Sequence, residues 1–522
     1  MKNYIKYIGI LALGMVACEP EFENPVDEQG AYTNGEADFS NYVALGNSLT
    51  AGYADGTLYL SGQQNSYPNI LAQQFAKVQE TDLFTQPLVA DNAGGLLLNG
   101  TQLPGYNTRL VLGVDEQLNA APRNYGGAIT TDVSNILSGP FNNMAVPGAK
   151  SYELLAPGYG SMEALQMGLA NPYFVRFASS PNTSIIADAV AQNPTFFTLW
   201  IGNNDVFLYA VSGGTGVDRT GEMDPTQYGR NDITDPQVFA GAYSQLVSSM
   251  IEAGAEEGAL LNIPDVTTAA FFNTVPNNAL ELSAEQAAGL TGYFQAVAGI
   301  FTQFLMGQQV PAEQAQAIAS QYAITFTEGK NRFIIDVPET QTNPLGFRQM
   351  TEEELLVLTI NQTALRQQGY GSAAISPEVM EVLGILQQGG QPTQEQAQLV
   401  LDAVNGIDDK DALDQSEIES ISAATTAYNQ TISQLAQANG LALVDINDLA
   451  SRVDSEGIPF DGGVVTSTFA TGGLFSLDGV HFTPRGYALV ANSIIETVNA
   501  TYNATVPTVN IGYYGTITPS ND

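Results

Sequence analysis

The stretch NYVALGNSLTAGY, residues 41–53, joins a short apolar run to a turn rich in Gly, Asn and Ser. A run of this length that ends in glycine is typical of a buried parallel strand. Ser48 follows the predicted strand directly and stands where the next helix is expected to begin. A serine at this position points into the crevice at the carboxyl end of a parallel sheet, where ligands usually bind. Its backbone N–H and the helix dipole would face a developing oxyanion, although serines in such turns are also common without any chemical role.

Four more runs of the chain have the same strand-like character, and helices or long connections separate them. They lie at 140–155 (PFNNMAVPGAKSYELL), 194–205 (PTFFTLWIGNND), 259–266 (ALLNIPDV) and 441–447 (LALVDIN). Two of the connecting helices are predicted at about 237–255 and at 484–500. Five strands that alternate with helices predict an α/β fold, in which helices cover both faces of a parallel sheet.

Residues 267–440 interrupt this pattern with several predicted helices and with one hairpin, at 331–350. We therefore predict a helix-rich insertion packed on the sheet domain. Its apolar side chains are expected to form a core, and the residues concerned are Phe294, Phe301, Phe304 and Leu305. A lid over an apolar acyl pocket is the alternative interpretation of the same residues.

The composition limits both the fold and the partners. At 522 residues the chain is too long for one simple core, so one enlarged domain or two domains are expected. Its 54 acidic residues outnumber 16 basic ones, which gives a net charge of −38. Such a chain repels nucleic acid and anionic membrane surfaces, which argues against a DNA- or RNA-binding protein. The sequence contains no nucleotide-binding loop, EF-hand spacing or zinc ligand set, so it predicts neither a cofactor nor a metal ion.

The amino terminus resembles an export signal. Two lysines precede an apolar run at 7–17, and Cys18, the only cysteine, follows the run. The run is too short for a stable membrane span and is typical of a secretory signal peptide. The small residue before Cys18 resembles a bacterial lipobox, which predicts a lipoprotein signal peptide at 1–17, acylation of Cys18 and a flexible acidic tether at 18–40. The protein is then expected to be lipid-anchored to the outer membrane, on its periplasmic or cell-surface face. An ordinary secretory signal with an incidental cysteine is the alternative.

The segment SLDGVHFTPRG, residues 476–486, contains His481, the only histidine of the chain. Any general-base chemistry that needs an imidazole must therefore run through this residue. His481 could take the proton from Ser48, and Asp478 could hold its other ring nitrogen and stabilise its charged form. A histidine with a purely structural role is the alternative.

Two more polar positions fall where strands are predicted to end. Gly148, in NNMAVPGAKS, lets the backbone approach a substrate closely and offers an unhindered N–H. Asn204, in WIGNND, could donate a side-chain N–H to the same oxyanion. The simpler interpretations are a turn glycine, an asparagine that caps the loop, and Asp205 as the N-cap of the next helix.

Together, these four blocks resemble blocks I, II, III and V of the SGNH (GDSL-type) hydrolase family, and they occur in the family's order. The motifs are GNSL with Ser48, the Gly148 segment, GNND with Asn204, and DGVH with Asp478 and His481. The resemblance implies that Ser48 is the nucleophile, that His481 is its general base and that Asp478 orients the base. It also implies an oxyanion hole made by the N–H groups of Ser48 and Gly148 and by the Asn204 amide.

The resemblance further implies a fold and a domain. Members of the family have a five-stranded parallel sheet in a flavodoxin-like, three-layer αβα sandwich, which is expected here over residues 41–500, with a C-terminal tail at 501–522. Asn47 stands where many members have Asp, outside the implied triad. The insertions at 57–140 and 267–440 exceed those of compact members, so the family's substrates cannot be carried over.

The expected function is that of a serine hydrolase that cleaves carboxylic esters through an acyl-serine intermediate, as a lipase or esterase does. The substrate would be an ester of a lipid or of an acylated glycan. A carbohydrate acetylesterase is one alternative. A surface-binding lipoprotein that keeps the hydrolase fold without turnover is another.

Overall fold

A computed structural model describes residues 32–114 and 120–519 of the protein. The predicted signal peptide at 1–17, Cys18 and most of the tether at 18–40 lie outside the described residues and stay predictions. Within the described residues, no helix is both long and apolar enough to cross a membrane.

A parallel sheet of four strands forms the centre of a mixed α/β structure. The strands are β1 (Tyr42–Gly46), β2 (Phe196–Trp200), β3 (Glu257–Leu261) and β4 (Ala442–Val444), which lie side by side in that order. Every neighbouring pair is parallel. All residues of β1 and β2 are buried, as their continuous apolar runs predicted. Because the strands are parallel, their carboxyl ends lie at one edge of the sheet, and the loops that follow them meet there.

The sheet has four strands rather than the predicted five. The run around Asn143 pairs with β1 through a single parallel bridge, to Ala44. Three backbone hydrogen bonds of 2.9–3.0 Å hold residues 142–146 beside β1. The ladder then stops because the chain turns back, with the Ala149 N–H donating to Val146 O at 3.1 Å.

Helices occupy most of the long connections. The predicted helices at about 237–255 and at 484–500 are confirmed as Pro236–Glu252 and Pro484–Tyr502. In the part of the chain that the structure describes, the α-helices are Ser48–Ala51, Leu60–Gln64, Tyr67–Phe75, Met162–Gln166, Pro172–Val175, Ile185–Val190, Asn203–Val211, Pro236–Glu252, Ala270–Asn273, Ala284–Gly307, Ala312–Ala319, Gln362–Gln367, Pro377–Gln387, Gln394–Leu401, Gln415–Asn439, Ile446–Ser455 and Pro484–Tyr502.

The remaining strands form short antiparallel pairs outside the sheet. The pair Ile334–Asp336 with Phe347–Gln349 confirms the hairpin predicted at 331–350. The other pairs are Leu97–Leu98 with Thr101–Gln102, Leu110–Val114 with Ala120–Asn124, Leu280–Leu282 with Gly329–Asn331, Leu355–Leu356 with Ala412–Leu413, Ser372–Ala373 with Val404–Asn405, and Ile458–Phe460 with Gly463–Val465.

Two pairs of helices pack around the sheet. Pro236–Glu252 contacts Gln415–Asn439, and the latter also contacts β3 and β4. Tyr67–Phe75 contacts Pro484–Tyr502, which also contacts β4. The helix Gln415–Asn439 therefore packs on the sheet, although it lies inside the predicted insertion at 267–440.

Four other helices of the insertion share an apolar core of their own, and they are Ala284–Gly307, Ala312–Ala319, Pro377–Gln387 and Gln394–Leu401. Phe294, Phe301 and Leu305 of the helix Ala284–Gly307 are buried in this core, as predicted. The prediction is wrong for Phe304, which is 51% exposed because it lies outside the core and stacks on the ring of Phe301.

Gly202 connects β2 to the helix Asn203–Val211 with a φ of 115°, a conformation that glycine adopts far more readily than other residues. A Cβ at this position would lie 2.6 Å from Phe239 and 2.7 Å from Ile263, both of which are buried. We expect Gly202→Ala to destabilise the protein by about 2–4 kcal/mol, through backbone strain and overpacking together. Chemical denaturation followed by circular dichroism measures this difference.

Gly241→Ala is the matched control, because Gly241 lies inside Pro236–Glu252 and a Cβ there meets no atom within 4 Å. We expect this control to be as stable as the wild type or more stable by about 0.5–1 kcal/mol. Equal stability of Gly202→Ala and the wild type would contradict the packing described for this junction.

Candidate active site

Ser48 lies immediately after β1, as the first residue of the helix Ser48–Ala51. Asn47 caps this helix, because its side-chain oxygen accepts a hydrogen bond from the Leu49 N–H at 3.1 Å. The helix has only four residues, so its dipole adds less than the sequence suggested. Ser48 is 8% exposed and borders a pocket at the edge of the sheet.

His481 meets Ser48 although the two residues are 433 positions apart in the chain. The Nε2 atom of His481 lies 2.9 Å from the Oγ atom of Ser48, which is a hydrogen-bonding distance. The other ring nitrogen, Nδ1, lies 2.9 Å from Oδ2 of Asp478. The three side chains that the sequence singled out therefore form one continuous hydrogen-bonded series.

The Asp478 carboxylate accepts hydrogen bonds at both of its oxygens. Oδ1 accepts from the Ser476 hydroxyl at 3.1 Å and from the N–H groups of Val480 and His481 at 2.9 and 2.8 Å. Oδ2 accepts from the Gly56 N–H at 2.9 Å as well as from His481. Burial alone would raise the pKa of Asp478, but the adjacent imidazole and these hydrogen bonds outweigh burial and hold that pKa well below its ordinary value. The carboxylate therefore stays ionised and faces Nδ1, which assigns the ring proton to Nδ1 and leaves Nε2 free to accept.

The imidazole is also held at its face. The Tyr53 ring lies against the His481 ring, with centroids 4.5 Å apart and planes inclined by 44°. The Tyr53 hydroxyl donates to Gly56 O at 2.5 Å, and its carbonyl accepts from the Tyr487 hydroxyl at 2.5 Å. The His481 side chain is 16% exposed, so part of its edge still reaches the pocket.

Gly148 and Asn204 lie on neighbouring loops. The Asn204 amide donates to Ala149 O at 2.9 Å, which ties the loop after β2 to the turn that contains Gly148. Gly148 has a φ of 81°, and among the described residues its N–H donates to no acceptor. Asn204 keeps a second amide hydrogen after its bond to Ala149. The structure thus brings the loops of Ser48, Gly148 and Asn204 to one edge of the sheet, with N–H groups left to bind an acceptor.

Asp205 has a different place from the one that the sequence suggested. It is not the N-cap of the helix Asn203–Val211, because Gly202 occupies that position. Its buried carboxylate instead accepts from the Ser151 N–H at 2.8 Å and from the Ser151 hydroxyl at 2.7 Å. Asp205 therefore anchors the chain just after the Gly148 turn.

Asp55 is a residue of the site that the sequence analysis missed. It is 3% exposed, and its carboxylate accepts from the Leu477 N–H at 3.0 Å and from the Tyr59 hydroxyl at 2.9 Å. Its own N–H donates to the Ser476 hydroxyl at 2.9 Å, and that hydroxyl in turn donates to Asp478. Asp55 thus links the loop after β1 to the loop that carries the imidazole. A carboxylate in the Gly-rich turn TAGYADG was the one signal that could have found it.

An apolar pocket opens beside Ser48 and His481. It holds about 740 Å³ of space not occupied by atoms, part of it open to solvent. Most of its lining side chains are apolar, and its amide-bearing residues are Asn47, Asn203 and Asn204.

A serine hydroxyl, an imidazole and an ionised carboxylate in this order can move a proton away from the serine and make its oxygen nucleophilic. Within the described residues, no group of three or more His, Cys, Asp or Glu side chains is placed to hold a metal ion. No protein-family model matches the chain, and no curated protein is detectably similar to it. Its function must therefore be inferred from its own residues and motifs.

The charge of Asp55 makes its contribution to stability depend on pH. Burial, assisted by the charge of Asp478 and only partly offset by the hydrogen bonds it accepts, raises the pKa of Asp55 to about 6. The unfolded chain has the ordinary, lower pKa, so the folded state binds the additional proton between about pH 4 and about pH 6. Ionised Asp55 therefore lowers the free energy of unfolding. This reduction grows between about pH 4 and about pH 6 and is complete above about pH 6.

We expect Asp55→Asn, which keeps the shape without the charge, to gain about 2–3 kcal/mol relative to the wild type between about pH 4 and about pH 7. Unfolding free energies of both proteins at each pH measure this difference and cancel the other titrating groups. Asp461→Asn is the control at an exposed position and should show no comparable trend. A gap between Asp55→Asn and the wild type that stays constant with pH would rule out the buried charge.

Proposed function

We propose that this protein is a serine hydrolase that cleaves carboxylic esters through an acyl-serine intermediate. The observation that carries the proposal is the unbroken series from Ser48 through His481 to Asp478, with 2.9 Å at each of its two contacts. A nucleophile, a base and an orienting carboxylate in hydrogen-bond reach are the geometric signature of such catalysis. The series also borders the apolar pocket, through which an ester could reach Ser48.

In acylation, the Ser48 oxygen attacks the ester carbonyl carbon while Nε2 of His481 takes the hydroxyl proton. The carbonyl electron pair moves onto the carbonyl oxygen and gives a tetrahedral oxyanion. When this oxyanion collapses, the bond to the alcohol oxygen breaks and His481 gives its proton to the leaving alcohol. Asp478 stays ionised and stabilises the imidazolium that forms between the two proton transfers.

In deacylation, water takes the place of the alcohol. His481 removes a proton from water while the water oxygen attacks the acyl carbon, and a second oxyanion forms. As this oxyanion collapses, the bond to Ser48 breaks and the serine oxygen recovers a proton from His481. The products are a carboxylic acid and an alcohol, and the protein returns to its starting state.

We assign the oxyanion hole to the N–H groups of Ser48 and Gly148 and to the Asn204 amide. Ser48 is the first residue of its helix, so its N–H has no acceptor within that helix. The Gly148 N–H has no acceptor among the described residues either. Donors that are already fixed and unbound need no reorganisation when the oxyanion appears, which is the main requirement for stabilising it.

We also propose that the protein has the fold of the SGNH (GDSL-type) hydrolases over residues 41–500. Counting residues 142–146 as a strand gives five strands, and their order across the sheet becomes 2-1-3-4-5, which is the flavodoxin-like order. The two packed helix pairs would then be the outer layers of a three-layer αβα sandwich. Val506 and Ile511, in the predicted tail at 501–522, pack into the same core.

A fluorophosphonate probe tests whether Ser48 is a nucleophile, because such probes react with activated serine oxygens. We expect the wild type to be labelled and Ser48→Ala to lose both the label and ester hydrolysis. Ser420→Ala is the matched control, since its hydroxyl donates only to Ser416 O within the surface helix Gln415–Asn439. A folded wild type that is neither labelled nor active on nitrophenyl esters would indicate a surface-binding protein on a hydrolase fold.

Asp478→Asn tests the orientation assigned to His481. Each carboxylate oxygen accepts from at least two donors, so an asparagine amide would face donors whichever way it turned. We expect kcat to fall on the order of 10⁴-fold, because the ring would lose both its tautomer and its alignment.

Asn204→Ala, which removes one proposed oxyanion donor, should lower kcat about 10²–10³-fold. Steady-state kinetics compare the two, and a loss below about tenfold in Asp478→Asn would contradict the assignment.

A further inference from the structure

We propose that the apolar pocket beside Ser48 binds the acyl chain of the substrate, so that the ester carries a hydrocarbon chain on its acyl side. This inference rests on the proposed function and deepens it, because hydrolysis through Ser48 does not by itself specify the ester. It also separates the two enzymatic alternatives, since an acetyl group would contact little of the apolar wall of the pocket.

Three of the segments that line the pocket supply much of its apolar wall. The helix Ile446–Ser455, which follows β4, contributes Val453 among other apolar residues. The loop after β3 contributes Val266, and the segment around the imidazole contributes Phe475 and Phe482. These four side chains are 1–7% exposed, so the core of the protein holds them in place. The pocket wall is therefore formed before any ligand arrives.

The pocket is unsuited to a sugar. Its amide groups belong to the loops that follow β1 and β2, whereas the remaining wall is almost wholly hydrocarbon. Asp265 lies at the loop after β3, but its Oδ1 accepts from the N–H and the hydroxyl of Thr267 at 3.0 and 2.7 Å, within its own turn. Sugar hydroxyls buried against such a wall would lose their hydrogen bonds to water without replacement. A hydrocarbon chain gains from the same burial.

The position of the pocket favours the acyl side of the ester over the alcohol side. The acyl carbon stays bonded to Ser48 throughout the intermediate, and Leu49, the next residue, lines the pocket. Of the three proposed oxyanion donors, Ser48 and Asn204 line the pocket and Gly148 does not, so the pocket reaches the reacting carbon. The alcohol must leave before water can attack, and a deep apolar pocket would retain it.

Ala450 offers a test of this assignment. It lies on the helix Ile446–Ser455, lines the pocket and is half-buried, so a larger side chain can project into the open space. We expect kcat/KM of the wild type on nitrophenyl esters to rise about fourfold per methylene from acetate upward, until the pocket is filled. In Ala450→Phe, the ratio of kcat/KM for octanoate to that for butyrate should fall at least tenfold. Ser451→Phe, the exposed neighbouring position, should leave this ratio unchanged.

Ala450→Leu is the second variant, in case phenylalanine prevents folding as judged by circular dichroism, and it should lower the same ratio at least threefold. An equal or falling preference from acetate to octanoate in the wild type, or an unchanged ratio in both folded variants, would overturn the acyl assignment. Alkyl acetates of increasing alcohol length are the second arm, and a preference that follows the alcohol chain instead would also overturn it. Fluorophosphonate labelling of Ser48 separates these failures from failure of the proposed function, because a labelled enzyme that prefers acetate is still a serine hydrolase.

Discussion

The parallel direction of β1 to β4 is the constraint on which the site depends. It brings the carboxyl ends of all four strands to one edge of the sheet. Ser48 follows β1, Asn204 follows β2, the loop with Val266 follows β3, and the helix Ile446–Ser455 follows β4. The proposed nucleophile, the proposed amide donor and two parts of the pocket wall therefore meet because of strand direction. An antiparallel strand at any of these positions would send its loop to the opposite edge.

His481 does not follow a strand of the sheet, and the structure fixes its position by other means. The helix that follows it, Pro484–Tyr502, packs against Tyr67–Phe75 and β4, which fixes the end of the loop. Hydrogen bonds from the loop after β1 fix its beginning, and they involve Asp55 and Asp478. Burial raises the pKa of Asp55 and the nearby charge of Asp478 adds to the rise, so keeping both carboxylates ionised here is unfavourable. This electrostatic cost occurs beside His481, whose two ring nitrogens both lie at hydrogen-bonding distance from their partners. Departures from the usual burial rules are expected at functional sites.

The sequence alone predicted those features that depend on one continuous segment of the chain. The apolar runs ending at Gly46 and Trp200 identified the strands, and the single histidine identified the centre of the site. The sequence did not predict features that depend on contacts with residues far away in the chain. Asp55 is tied to the imidazole loop by partners more than 400 positions away: its carboxylate accepts from the Leu477 N–H, and its own N–H donates to the Ser476 hydroxyl. Residues 142–146 begin to pair with β1 as a strand does, yet the turn that follows them cuts this pairing short.

The helix-rich insertion at 267–440 supports the imidazole loop rather than covering the pocket. Apart from Thr268 and Ala269 at its start, none of its described residues lines the pocket, and the apolar face predicted as a possible lid is largely buried in a core of its own. The Phe271 N–H instead donates to Gly479 O at 2.9 Å, and Gly479 lies in the turn between the carboxylate and the imidazole. Most of the pocket is thus made from loops and a helix that follow the sheet strands, and the imidazole segment and the helix after it supply the rest. Walls of this kind keep a fixed shape, so a preference for one range of chain lengths can arise from volume alone, without the closing of a lid.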